Sequence, residues 1–130
     1  MDRRPRILVI DDDAAMREMV VCMLDCAGFE GEPAADADEA LFELQARPYE
    51  LAVCDVHMPR RDGFSFARAA HRIRPNTPIV LMSSFGCDAT QADGLAAGAA
   101  GYVAKPFSIR QLREAVGAAL ATRPALSAPS

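Results

Sequence analysis

At 130 residues, 51% hydrophobic and 25% charged, the chain fits one soluble globular domain, large enough to bury roughly two-thirds of its unfolded surface without disulfide or metal staples. A net charge of -4 leaves no basic footprint, which argues against direct nucleic-acid binding. The first apolar run, Ile7 to Ile10, is too short for a signal core or a membrane span, so the expectation is a cytoplasmic protein with no membrane contact.

The cysteines form no CxxC pair and no Cys/His ligand spacing. Cys22, Cys26 and Cys54 read as buried small hydrophobes in a reducing compartment, and Cys87, near a loop, as the one open to exposure.

Arg6 to Ile10 is a short β-branched run ended by acids, which predicts a buried strand. A helix follows, with Met16, Met19, Val20, Met23, Leu24 and Ala27 at helical spacing, Asp13 as a plausible N-cap and Gly28 as its stop. Phe29 to Ala34 is a weak strand candidate because Gly31 and Pro33 count against it. Asp38 to Gln45 reads as a helix with Ala40, Leu41 and Leu44 inward, ended by Pro48. Glu50 to Val56 is the second strong strand, Phe64 to Ile73 a helix, and Pro78 to Ser83 the third strong strand. Thr90 to Ala97 is a helix of small residues, and Gly101 to Lys105 a short strand. Ile109 to Leu120 is a last helix with Ile109, Leu112, Val116 and Leu120 on one face. The remaining tail has linker composition.

Alternation of strands and helices predicts a parallel sheet with right-handed crossovers and helices on both faces, an α/β doubly wound fold. In such sheets the working site lies beyond the carboxyl ends of the strands. Asp11, Asp12 and Asp13 follow the first strand; Asp55 ends the third, Ser83 and Ser84 the fourth, and Lys105 the fifth. Singly, each has a bland reading: Asp13 caps a helix, and an acid at a strand end is turn chemistry. Together they place carboxylates, a hydroxyl and a lysine along one edge. Clustered carboxylates repel unless they bind protons or a cation, and a hard divalent ion such as Mg²⁺ suits oxygen donors. A carboxylate can also act as a nucleophile and form an acyl phosphate, given a metal and cationic donors for the phosphoryl oxygens.

These segments resemble the receiver domain of two-component response regulators. The resemblance rests on "ILVIDDD", on "CDVHMPRRDG" with Pro59 four and Gly63 eight residues after Asp55, on "PIVLMSS", and on "GAAGYVAKPFS". It covers about residues 6–121, with all motifs in order. It implies a flavodoxin-like five-stranded sheet of order 2-1-3-4-5, a receiver domain over 5–121, and residues 122–130 as a flexible tail or the start of a linker. It further implies that Asp55 accepts a phosphoryl group from a phosphohistidine of a sensor histidine kinase or phosphotransfer protein. Asp11, Asp12, Asp55 and the backbone carbonyl of His57 would hold Mg²⁺, and Lys105 would pair with the phosphoryl group. Ser83 and Tyr102 would carry the switch to the face of the fourth helix, fifth strand and fifth helix. The resulting change in affinity would be read by a downstream output domain or protein, or by a phosphorylation-dependent homodimer. The chain would be no enzyme beyond its own Mg-dependent phosphorylation and dephosphorylation.

Some positions depart from the family pattern. Ser stands at 83 where Thr is commoner, Ser84 where Ala is frequent, and Phe85 where small or polar residues are usual. His57 occupies a position that influences dephosphorylation, where its side chain either hinders or positions water. The small residues of the fourth helix suit an element that moves and equally a merely weak helix. Arg60 and Arg61 read as partner-kinase or solvent contacts rather than nucleic-acid contacts, and His71 as solvated surface. Three other classes fit less well. A haloacid-dehalogenase-type phosphohydrolase needs an acid where His57 stands, and a cap domain. A pseudo-receiver would have no need of the full acid, hydroxyl and lysine set. A Rossmann domain lacks its GxGxxG after the first strand.

Overall fold

The computed structural model describes residues 4–58, 60–84 and 91–122. The expectations for Pro59, Phe85, Cys87, Thr90 and the tail after Thr122 fall outside the described residues. Ten elements alternate along the chain: β1 (Arg6–Ile10), α1 (Ala14–Cys26), β2 (Glu30–Ala34), α2 (Ala37–Ala46), β3 (Leu51–Asp55), α3 (Gly63–Ile73), β4 (Ile79–Ser83), α4 (Gln91–Ala96), β5 (Gly101–Ala104) and α5 (Ile109–Ala121). The five strands form one parallel sheet of order β2-β1-β3-β4-β5.

Strand pleating sorts the core into two layers. Leu8, Ile10, Ala52, Cys54, Ile79 and Leu81 face α2 and α3, packing with Ala40, Leu44, Phe66 and Ala70. Their neighbours Ile7, Val9, Leu51, Val53, Val80 and Met82 face α1 and α5, packing with Val20, Leu24, Leu112 and Val116. Every residue of β3 and β4 is buried, which is why both read as unbroken apolar runs. The weakest strand candidate, β2, sits at the sheet's edge, where Pro33 is tolerated. At the opposite end of β3, the Arg6 guanidinium lies 5.1 Å from the centre of the Tyr49 ring.

Side-chain caps fix the helix starts. Asp13 accepts from the amides of Ala15 and Met16, Asp36 from Glu39, and Asp62 from Ser65. Ser108 and Gln111 form a reciprocal capping box at α5. Gly28 follows α1 with φ +99°, a left-handed conformation that glycine adopts without strain.

Three sequence expectations need correction. Cys22 and Cys26 are exposed, and Met19 is 49% exposed. The inward line of α1 runs through Val20 and Leu24, with Met16 and Met23 packed at its edge, so Met19, Cys22 and Cys26 turn outward. Ile109, grouped with the inward face of α5, is 40% exposed; it stands at the first helical position, while Leu112 and Val116 are fully buried.

Candidate functional site

β1 and β3 are neighbours, so the residues that end them lie side by side at the carboxyl edge. Asp11 is fully buried, Asp55 is 5% exposed, and Asp12 is exposed. One carboxylate oxygen from each of Asp11, Asp12 and Asp55 lies within 4.8 Å of the others. Lys105, just past β5, reaches back over this edge. Its Nζ lies 3.2 Å from Asp11 Oδ2 and 3.4 Å from Asp55 Oδ2. The sequence therefore brings two acids and a lysine from three different strand ends into direct contact, with a third acid beside them.

Backbone groups hold the acids in place. The Asp13 amide donates to Asp11 Oδ1 at 3.0 Å, and Arg17 Nη1 donates to the Asp11 carbonyl at 2.6 Å. The His57 amide donates to Asp55 Oδ1 at 3.3 Å. Asp55 is thus held at one oxygen by an amide and at the other by an ammonium. Its carboxyl is nevertheless pushed above the usual carboxylate range. Burial is the largest cause; Lys105 opposes it, Asp11 adds to it, and the His57 amide opposes it. The lysine does not fully compensate the buried charge, so the cluster favours an added proton or a cation.

Ser83 ends β4, beside β3, and is buried. Its carbonyl accepts the Lys105 amide at 2.7 Å, so the hydroxyl-bearing residue and the lysine are fixed to each other. Tyr102, in β5, packs against the core on the α4 side. A Cβ placed on Gly94 of α4 would lie 3.2 Å from Tyr102 Cδ2, so the ring rests on the glycine of that helix. Ser84 and the His57 and His71 side chains are exposed. Arg60 and Arg61 lie 3.4 Å and 3.8 Å from Asp36 and Asp38 at the start of α2. They tie the loop after Asp55 to that helix.

Sequence reasoning missed the grip of Arg17 on the Asp11 carbonyl and that of the His57 amide on Asp55. Gly63 is the first residue of α3, and a Cβ there would fall 2.5 Å from the Asp55 carbonyl oxygen and 2.8 Å from Val56 Cα. Its amide donates to the Val56 carbonyl at 2.9 Å. The glycine lets α3 start directly against the end of β3.

The response regulator receiver domain family is matched over residues 7–117. The chain belongs to this family. Its receiver fold is close to solved relatives. A putative response regulator from Chloroflexus aurantiacus superimposes with a TM-score of 0.85 at 30% identity, covering 92% of this chain and 99% of that one. The chemotaxis protein CheY4 of Vibrio cholerae gives 0.80 at 31% identity, covering 90% and 99%. Among curated sequences, the probable transcriptional regulator ycf27 of Cyanophora paradoxa is 36% identical over 84% of this chain but only 45% of its own length. The receiver thus spans about half the length of such relatives. No helix among the described residues is long and apolar enough to cross a membrane.

Proposed function

We propose that this receiver accepts a phosphoryl group on Asp55 from a phosphohistidine of a sensor histidine kinase or phosphotransfer protein. The observation that carries the reading is Asp55 itself: a buried carboxylate at a strand end, paired with Lys105 and crowded by two further acids. In the transfer, an Asp55 carboxylate oxygen forms a bond to phosphorus. The bond from phosphorus to the donor imidazole nitrogen breaks, and the electron pair stays on that nitrogen, which takes a proton from solvent. Lys105 stands where it can bond an equatorial phosphoryl oxygen.

The donor set fits a hard divalent cation, since three carboxylates converge and soft ligands are absent from the cluster. Asp11, Asp12 and Asp55, with the His57 carbonyl, would hold Mg²⁺. When bound, it neutralises the charge on the phosphoryl oxygens as transfer proceeds. A groove of about 300 Å³, lined by Met16, Met19, Lys105, Pro106 and Phe107, shares Lys105 with the acidic cluster. It gives a donor protein an apolar seat beside the acceptor.

Phosphorylation adds charge and three acceptor oxygens at one spot. Ser83 and Lys105, joined through their backbones, are the groups that respond to it. Tyr102, in β5 three residues before Lys105 and against α4, passes the change to the α4–β5–α5 face. That face then alters its affinity for an output domain, an output protein or a second copy. Beyond its own phosphorylation and dephosphorylation the domain catalyses nothing, and it works in the cytoplasm, where its donors present their phosphohistidines.

Incubation with Mg²⁺ and acetyl phosphate, followed by intact-mass measurement, tests this. One phosphoryl adduct is expected in the wild type and none in Asp55→Asn. No adduct in either protein, or equal adducts in both, would remove Asp55 as acceptor. Repeated turnover of a generic phosphate ester would instead favour a hydrolase.

A further inference from the structure

We propose a second metal site, on the outer face of α1, in which Cys22 and Cys26, with Met19 and Met23, bind a soft monovalent cation of the Cu(I) class. The run Met19-Val-Val-Cys-Met-Leu-Asp-Cys26 lies within one continuous helix. Cys22 and Cys26 are exposed, Met19 is 49% exposed, and Met23 is half-buried against the core. Val20 and Leu24 are the residues of α1 that are fully buried and Met23 packs against the same core, so packing does not account for the exposed sulfur of Met19, Cys22 and Cys26.

Helix geometry brings the sulfur-bearing residues together. At about 100° per residue, all four fall within an arc of about 100°. Residues three and four apart have Cβ atoms about 5–6 Å apart. A disulfide needs Cβ atoms at about 3.5–4.5 Å, so an intact helix keeps Cys22 and Cys26 from pairing with each other. Two metal–thiolate bonds of about 2.3 Å, back to back, span about 4.6 Å, which two cysteine side chains on successive turns can bracket. Met19, one turn before Cys22, offers a thioether as third ligand. Thiolate and thioether together select Cu(I) over hard ions. A structural zinc site takes four ligands from cysteine, histidine or carboxylate; α1 has no histidine, and of its two carboxylates, Glu18 and Asp25, the latter is paired with Arg4.

Binding releases the two thiol protons to solvent and leaves the site with one net negative charge for a monovalent ion. The domain would then hold two sites sorted by ligand softness, a hard one at Asp11, Asp12 and Asp55 and a soft one on α1. Met19 belongs to the soft site and also lines the groove beside Lys105, so the ion would sit at that groove's rim.

The test uses the full 130-residue chain carrying Cys87→Ser, kept anaerobic and reduced, with Cu(I) delivered as its bicinchoninate complex. The expected result is withdrawal of one Cu(I) per chain, with a thiolate-to-metal charge-transfer band in the ultraviolet. Loss of a direct ligand in Cys22→Ser or Cys26→Ser should weaken binding by more than about tenfold, since even outer-shell losses cost that much. Met19→Leu should weaken it less. Both cysteine variants should keep wild-type circular dichroism because the positions are exposed. No withdrawal of Cu(I), equal withdrawal by the Cys22→Ser/Cys26→Ser double variant, or one ion shared between two chains on size exclusion would overturn the proposal.

Discussion

Gly63 touches Asp55 backbone to backbone, with no room between them for a methyl group. Replacing Gly63 with Ala would force the start of α3 away from the end of β3. The expected cost is about 1–3 kcal/mol, the usual range for overpacking. Urea unfolding of Gly63→Ala measures it. A midpoint equal to that of the wild type would mean that the junction yields freely.

Asp55 predicts a pH dependence. Burial raises its carboxyl above the ordinary value of 3.8, so the folded state holds the proton more tightly than the unfolded state. The stability from this proton is fully present below the unfolded value and is lost as pH rises through the folded one. At neutral pH the ionised group therefore weighs against folding. Asp55→Asn should melt above the wild type at pH 7. The difference should shrink as pH falls toward the ordinary carboxylate range. Thermal melts at several pH values check this, and an Asn variant less stable than the wild type at neutral pH would contradict it.

A cation should relieve the same repulsion. Mg²⁺ at about 100 times its dissociation constant should stabilise the domain by about 2.7 kcal/mol. Asp12 is exposed and contributes little to packing. Asp12→Ala should therefore fold normally and lose most of the Mg²⁺-dependent shift. Melts with and without the ion decide it; a full shift in Asp12→Ala would take Asp12 out of the site.

Tyr49 lies far from the acids and gives an alkaline test. Its hydroxyl donates to Glu43 Oε1 at 2.9 Å. Burial first, then Glu43, pushes the phenol up from 10.0 to about 12. The phenol's contribution to stability is intact below pH 10 and falls away as pH rises toward 12. Tyr49→Phe should cost about 0.5–1.5 kcal/mol at pH 8 and flatten the loss between those limits. Urea unfolding at pH 8 and pH 11 separates the two effects.

The strand ends were readable because burial on both faces leaves β3 and β4 as unbroken apolar runs, so the first polar residue marks the edge. That marks Asp55 and Ser83 as edge residues, and the buried run of β1 does the same for Asp11, whereas Lys105 follows the short, partly exposed β5. The outward face of α1 was misread for a related reason. Methionine and cysteine are apolar enough to fit either face, and only the spacing of Val20 and Leu24 distinguishes them. Arg17, the His57 amide and Gly63 act on or through the backbone, and a side-chain type carries no mark of which carbonyl lies opposite it.

Lys105 and Asp11 are 94 positions apart in sequence and 3.2 Å apart in space. The pair joins groups from the sheet's second strand and its far edge, across the two strands between. A nascent chain that stops short of β5 can carry every acid of the cluster and still lack its lysine. Under the function proposed above, acceptor competence would arrive only with β5, and a molecule lacking these lysine contacts would stay silent.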